Sequence, residues 1–301
     1  LKFHNMKLKK NLVSIILNCY NGEKYLKEAL SSVIAQTYKN WELIFLDNRS
    51  KDNSKIILKS YNNKKFRYFR TPKHLSLYSA RNLAIKKTKG KFISFIDSDD
   101  MWEKKKLETQ LKLFKDPKIG VVYGNLFVKK NESLKKYFNY HLKGGYIYKD
   151  LIRNYNIGIL TVIIKKKILI KEKKLFNSKY NIIGDFEFFI RLSKKYNFHA
   201  VQQPVATYRI HGDNLSLLNR RLQVKEYKDW YKKNKINLND EEQSIILKKI
   251  INAEFIYLKF EKNFFKTANF FFKKKQYLLS IKNIAILISP RFVLEKYMLF
   301  A

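Results

Sequence analysis

Phe92-Ile93-Ser94-Phe95-Ile96-Asp97-Ser98-Asp99-Asp100 is the stretch on which the fold turns: an apolar, strand-like run that stops in three carboxylates within four residues. Carboxylates this close repel one another, so the cluster makes sense where a divalent cation such as Mg²⁺ or Mn²⁺, carrying a diphosphate, sits among them. Asp and Ser are also ordinary turn residues, so a polar turn closing a strand fits the same letters. The surroundings of the stretch decide between the two.

Upstream, strand-like and helix-like patterns alternate. Leu12–Leu17 is a short β-branched run, and Tyr25, Leu26, Ala29, Leu30, Val33 and Ile34 then share one helical face. Trp41–Leu46 reads as a second strand, Asp52 as the cap of a helix reaching about Tyr61, Phe66–Phe69 as a third strand and Leu77–Lys87 as a helix. This alternation predicts an α/β fold with a mostly parallel sheet and helices on both faces. In such sheets ligands bind beyond the carboxyl ends of the strands. Three polar clusters fall there: Asn18-Cys19-Tyr20-Asn21, Asp47-Asn48-Arg49-Ser50 and Asp97-Ser98-Asp99-Asp100. Three on one edge predict a binding crevice.

Downstream, the pattern predicts an amphipathic helix over Trp102–Lys115, a strand over Ile119–Val128, a turn at Gly144-Gly145 and a buried strand over Ile157–Ile164. A helix over Phe186–Tyr196, opened by Gly184-Asp185, precedes an extended Phe198–Ile210. From about Leu222 the chain reads as helical throughout, which places a boundary near 220 between a catalytic region, 1–220, and a helical extension, 221–301. In the extension Tyr277, Leu278, Ile281, Ile284, Ala285 and Ile288 fall on one helical face amid lysines, a pattern that suits packing on a bundle or lying on an anionic bilayer surface.

The chain of 301 residues is 46% hydrophobic and 15% aromatic, too apolar for a disordered protein, and no uncharged run reaches bilayer-spanning length. Its formal charge is +38, spread as +13 over residues 1–100, +15 over 101–200 and +10 over 201–301. A nucleic-acid-binding arm would concentrate that charge, so nucleic acid is not expected as a partner. One cysteine excludes an internal disulfide framework. Lys7, Lys9 and Lys10 before Leu12–Leu17 imitate a signal peptide, but the apolar run is short and Asn18 and Asn21 break it, so a cytoplasmic location is expected.

After the first strand there is no Gly-rich dinucleotide fingerprint, and no Gly-rich loop is followed by Lys and Ser or Thr, which sets aside dehydrogenases and P-loop hydrolases. What remains resembles the inverting family-2 glycosyltransferases with the GT-A fold. The resemblance rests on Val13–Asn21, Ser32–Tyr38, Leu46–Asp52, Ala80-Arg81-Asn82, Gly90–Ile93 before the acidic cluster, Gly184–Leu192 and Tyr208–His211, in that order, over about residues 11–216.

The resemblance implies transfer of a sugar from a nucleotide-sugar donor to a glycan or lipid-linked glycan acceptor in cell-envelope polysaccharide or lipopolysaccharide assembly, at the inner face of the membrane. It implies a divalent metal, Mn²⁺ or Mg²⁺, at Asp99 with Asp97 near the metal or the ribose and His211 in its shell. Asn18, Tyr20, Asn21, Asp47, Asn48, Arg81 and Ser98 would line the nucleotide site, and Asp185 would be the general base. Two departures stand out. Position 48 is Asn where many relatives have Asp, and Gly184 stands where an acid usually precedes the base, with Glu187 close by. A metal-dependent nucleotidyltransferase and a basic module for nucleic acid or membrane remain as alternatives at this point.

Overall fold

The computed structural model describes residues 9–172, 174–261 and 264–274. The expected amphipathic helix around Tyr277–Ile288 lies outside the described residues. The strands are β1 (Lys9–Cys19), β2 (Trp41–Asp47), β3 (Phe66–Arg70), β4 (Gly90–Asp97), β5 (Met101–Trp102), β6 (Ile119–Lys130), β7 (Ser133–Lys136), β8 (Ile163–Lys165) and β9 (Asn197–Ile210). The helices are α1 (Glu23–Ile34), α2 (Ser54–Ser60), α3 (Leu77–Lys87), α4 (Lys106–Leu113), α5 (Tyr148–Arg153), α6 (Lys166–Glu172), α7 (Gly184–Ser193), α8 (Leu215–Leu218), α9 (Arg220–Asn234), α10 (Asp240–Phe260) and α11 (Phe264–Lys273).

Two compact units share the chain. One takes the described residues of Leu1–Tyr148 and Ile157–His211, the other those of Lys149–Asn156 and Gly212–Ala301. The first unit holds a sheet in the order β3-β2-β1-β4-β8-β6-β9-β5, with β7 paired to β6. β3, β2, β1 and β4 run parallel, as the alternating pattern requires. β8 then enters antiparallel to β4 and β6, and β9 lies parallel to β6. Every residue of β2 is buried, because a strand covered by helices on both faces needs apolar residues on both. In the second unit α9 and α10 bury Tyr227, Trp230, Ile246, Ile250 and Phe255, and an Asn239–Glu242 capping box starts α10.

Two expectations fail, for one reason. Trp102 does not open a helix: Met101 and Trp102 pair with Thr207 and Ala206 of β9, and α4 begins only at Lys106. Ile157–Ile164 is not one strand, since Ile159–Thr161 is a 3₁₀ turn and only Ile163–Lys165 is extended. Side chains capture the carbonyls that a strand would have paired. Trp102 Nε1 donates to Leu160 O at 3.0 Å, Gln110 Nε2 to Thr161 O at 2.7 Å and Ser94 Oγ to Val162 O at 2.6 Å. Buried carbonyls need a donor, and a side chain serves as well as a ladder.

The same region buries Lys106. Its Nζ donates to Gln110 Oε1 at 2.7 Å and Ser94 Oγ at 3.1 Å and lies 4.3 Å from the centre of the Trp102 ring, with no carboxylate among these contacts. Burial pushes its amine well below the ordinary lysine value of 10.5. Below 10.5 the unfolded chain keeps a proton that the folded chain has shed, so stability rises with pH across that window. Urea denaturation at about pH 7 and pH 9.5 is expected to show this rise, and Lys106→Met to reduce it, leaving the share of Lys166, whose amine burial lowers to about 8.

Candidate active site

The carboxyl ends of the parallel strands carry four loops, and backbone-to-side-chain bonds tie them together. Asn21, in a left-handed turn with φ +51°, donates its N–H to Ser50 Oγ at 3.0 Å and accepts the Lys51 N–H on Oδ1 at 2.9 Å. Asp52, expected as a helix cap, serves the N-termini of two helices: Oδ2 accepts from Glu23 N, the first residue of α1, at 2.9 Å and Oδ1 from Ser54 N, the first residue of α2, at 3.1 Å. Gly22 passes so close to the acidic loop that a Cβ there would stand 2.9 Å from both Ser98 Oγ and Cys19 Sγ. The Tyr20 loop and Ser98 are therefore in direct contact.

Asp47 and Asn48 hold the neighbouring loops. Asp47 is 1% exposed; Oδ1 accepts Ser50 N at 2.7 Å and Oδ2 the Tyr68 hydroxyl at 2.7 Å, with Arg70 Nε 3.5 Å away. Burial, then the Asp47 charge, pushes the Tyr68 phenol up to about 12. Asn48 behaves like an inserted strand residue: Oδ1 accepts Leu75 N and Nδ2 donates to Leu75 O, both at 2.9 Å, while Thr71 Oγ1 donates to Oδ1 at 3.2 Å. The amide needs both a donor and an acceptor here, which an aspartate could not supply.

Tyr20 is 51% exposed and meets the His74 ring edge-on, centroids 4.5 Å apart, with His74 Nδ1 3.2 Å from Asn48 O. The sequence gives no hint of this His74 contact, because His74 lies in a loop without periodicity. Asn18, opposite Asp97 in register, donates Nδ2 to Leu77 O at 3.4 Å, and its buried Oδ1 receives no hydrogen bond.

Each carboxylate of the opening cluster has a different partner. Arg81 Nη2 donates to Asp97 Oδ1 at 2.6 Å. Arg81 is only 3% exposed; burial opposes its charge, but Asp97 and then Tyr78 and Asp185 around it hold the guanidinium above its ordinary value. His211 Nε2 lies 2.8 Å from Asp99 Oδ2. Asp100 Oδ1 accepts the Arg209 N–H at 3.0 Å, and burial, with Asp99 and Asp97 alongside, pushes its carboxyl well above the usual carboxylate range. Arg209 also donates Nε to Asp99 O at 3.0 Å and Nη2 to Glu28 at 2.7 Å, its guanidinium carbon 4.6 Å from the Tyr25 ring centre. Arg209, Tyr25 and Glu28 escaped the sequence reading, although the alternation Tyr208-Arg209-Ile210-His211 puts Arg209, near the end of β9, and His211, just past it, two residues apart on one side of the extended chain.

Asp185 sits in the first turn of α7. The helix begins at Gly184, and Asp185 Oδ1 accepts the Phe186 N–H at 2.9 Å and the Tyr78 hydroxyl at 3.0 Å. Burial raises its carboxyl above the ordinary value of 3.8, opposed by Arg81 and by these two hydrogen bonds. The segment before α7 is fixed to α3 where Asn82 exchanges two hydrogen bonds with the Phe176 backbone, at 2.8 and 3.0 Å. Glu187 faces away into an ion pair with Arg191 at 2.9 Å.

Asp99 and His211 offer one carboxylate and one imidazole side by side, while Asp97 stands close by under Arg81. Among the described residues no three His, Cys, Asp or Glu side chains form a metal-binding group. So small a donor set suits Mg²⁺ or Mn²⁺, which complete their shells with substrate phosphate and water, rather than a closed zinc site. Asp99 and His211 fit such an ion.

Residues 14–181 match the profile of Glycosyl transferase family 2. The Escherichia coli UDP-Glc:alpha-D-GlcNAc-diphosphoundecaprenol beta-1,3-glucosyltransferase WfgD is 36% identical over 158 residues, 52% of this chain and 62% of WfgD. The chain thus matches less than two thirds of that relative's length. Among solved structures, S. aureus TarS 1-349 in complex with UDP-GlcNAc superposes with a TM-score of 0.63 at 17% identity, covering 92% of this chain and 78% of TarS. The mannosyltransferase PcManGT from Pyrobaculum calidifontis, in complex with GDP-Man and Mn²⁺, gives 0.56 at 14% identity, over 92% of this chain and 84% of PcManGT. With its fold and its loops at the sheet's carboxyl edge, the chain belongs to glycosyl transferase family 2 and has the GT-A fold.

Asn48→Ala is expected to leave the Leu75 N–H and carbonyl unpaired and to lower stability by about 1–3 kcal/mol. Thermal denaturation of the purified variant checks this, and Asn48→Asp should fall between the two because it keeps the acceptor for the Leu75 N–H and the Thr71 hydroxyl but loses the donor to Leu75 O.

Proposed function

We propose that the protein transfers a sugar, with inversion, from a uridine diphosphate sugar to a lipid-linked glycan acceptor during cell-envelope polysaccharide assembly. One observation carries this reading. Arg81 bonds Asp97 at 2.6 Å and lies 5.3 Å from the ring of Tyr78, whose hydroxyl bonds Asp185 at 3.0 Å, so the donor-side acid and the candidate base are linked through two side chains. The donor class follows the UDP-Glc and UDP-GlcNAc in the names of WfgD and the TarS complex, and the acceptor class follows the diphosphoundecaprenol of WfgD.

In this reading Tyr20 and His74 flank the nucleobase, within loops that Asn21, Asp47 and Asn48 hold in place. Asn18 and Asp97, beside Ser98, meet the ribose, with Arg81 fixing Asp97. Asp99, with His211, holds Mn²⁺ or Mg²⁺. The ion, when bound, supplies positive charge to the departing diphosphate. Asp185 takes the proton of the acceptor hydroxyl as that oxygen bonds to the anomeric carbon. The bond from that carbon to the diphosphate oxygen breaks on the opposite face, and its electron pair leaves with UDP. Glu187, engaged with Arg191, shapes α7 rather than sharing in proton transfer.

No described helix is long and apolar enough to cross a membrane. The formal charge of +38 favours contact with an anionic cytoplasmic membrane face, where a lipid-linked acceptor resides. Salt-sensitive sedimentation with phosphatidylglycerol vesicles tests that contact; equal binding to neutral vesicles would count against it.

UDP release from a panel of UDP-sugars, with Mn²⁺ and a diphospholipid-linked sugar, tests the activity; pyrophosphate as product would point to nucleotidyl transfer instead. Asp99→Ala is expected to lose Mn²⁺-dependent UDP binding in calorimetry. Asp185→Asn should bind UDP-sugar like the parent yet turn over roughly 10²–10⁴-fold more slowly. Because the base must be ionised, parent activity should fall as the pH drops through the raised range of Asp185.

A further inference from the structure

Position 184 has no side chain, and the space one would need is filled from another helix. A Cβ built on Gly184 would stand 2.4 Å from Cδ2 and Cε2 of Tyr78, closer than packed carbons approach. Tyr78 is 2% exposed, and its ring packs on Phe176 with centroids 5.3 Å apart. Its hydroxyl has two acceptors in reach, Asp185 Oδ1 at 3.0 Å and Ile182 O at 3.2 Å. A phenol has one proton to give, and a carboxylate is the stronger acceptor.

The second donor to Asp185, the Phe186 N–H at 2.9 Å, also lands on Oδ1. Neither of these two donors touches Oδ2. The two oxygens are thereby made unequal. Oδ1 is anchored and drained of charge by two hydrogen bonds, and Oδ2 keeps the more basic lone pairs.

We propose that Tyr78 is a positioning residue for glycosyl transfer: its hydroxyl fixes Asp185 through Oδ1 so that Oδ2 receives the acceptor's proton, and Gly184 is the residue that admits its ring. This rests on Asp185 being the base. The proton leaving the acceptor oxygen ends on Oδ2 while Tyr78 keeps its own. Burial, and then the charge of Asp185, push the Tyr78 phenol well above its ordinary value, so it remains the donor throughout.

The charged and titratable groups around Asp185 are few. From α3 come Tyr78 and Arg81, and Arg81 is bonded to Asp97 at the end of β4; from α7 itself comes Glu187, already paired with Arg191. With Arg81 unchanged, removing the Tyr78 hydroxyl removes one stabilising bond to the ionised carboxylate, which raises the pKa of Asp185.

Tyr78→Phe keeps the ring, its Phe176 contact and the filling over Gly184. The variant is expected to shift the acid limb of kcat/KM upward by about one pH unit and to lower kcat about tenfold, with KM for the UDP-sugar within about twofold of the parent. Gly184→Ala, whose methyl must push the ring aside, should move the acid limb in the same direction and serves if Tyr78→Phe does not fold. A lower melting temperature with an unmoved acid limb in the folded variant would make Tyr78 a packing residue and overturn the inference. Asp185→Asn separates the two readings. If it is inactive while Tyr78→Phe keeps the parent's acid limb, the base assignment stands and the role of Tyr78 falls; if it stays active, both fall.

Discussion

Three carboxylates within four residues cannot share one loop unless each is given its own means of bearing charge, and the first unit is organised around that requirement. Arg81 reaches Asp97 from α3, His211 reaches Asp99 from the end of β9, and the Arg209 backbone reaches Asp100. Asp100, buried between its neighbours, is driven toward its neutral form. The partners lie 16, 112 and 109 residues from their acids along the chain. The loop therefore cannot take shape until the sheet has brought β4 and β9 to one edge.

The two ends of the parallel strands are treated differently. At the amino end Ser14 Oγ donates to Glu42 at 2.6 Å, Arg67 pairs with Glu42 at 2.7 Å, and the Lys89 N–H donates to it at 2.6 Å, so a buried carboxylate is fully satisfied by protein. Burial works against that charge, while Ser14, the Lys89 N–H and Arg67 hold the Glu42 carboxyl below the usual range. Trp41 Nε1, at the start of β2, lacks an acceptor, and at the carboxyl end polar groups beside the candidate site are left open as well. Tyr20 is open to solvent and Asn18 Oδ1 lacks a donor. A folded chain keeps such groups where a ligand is to complete them.

Much of the architecture was legible in the residues because period and strand burial were strong there. Leu77–Lys87 is helical as its pattern predicts, and the runs at Trp41, Phe66 and Phe92 became β2, β3 and β4 with one or two residues added at the ends. The family resemblance was legible for the same reason: its motifs sit at strand ends, which the alternating pattern locates. Trp102 and Ile157–Ile164 were misread because apolar composition says that a segment is buried, not which group will pair its carbonyls. Trp102, Gln110 and Ser94 took that role from three different elements.

The sequence by itself determined the βαβα order, the acidic end of the fourth strand and the family to which the chain belongs, since these depend on residues near one another in the chain. Tertiary structure alone decided which side chain serves which acid. Asp47 and Asn48 read as ligand contacts, and the fold shows the bonds that hold them in place, from Tyr68, Ser50 and Leu75. Gly184 read as a departure from a motif, and the fold fills its place with Tyr78, 106 residues earlier. Hydrogen bonds and excluded volume act through space, and sequence spacing carries no record of them until the strands have fixed the distances.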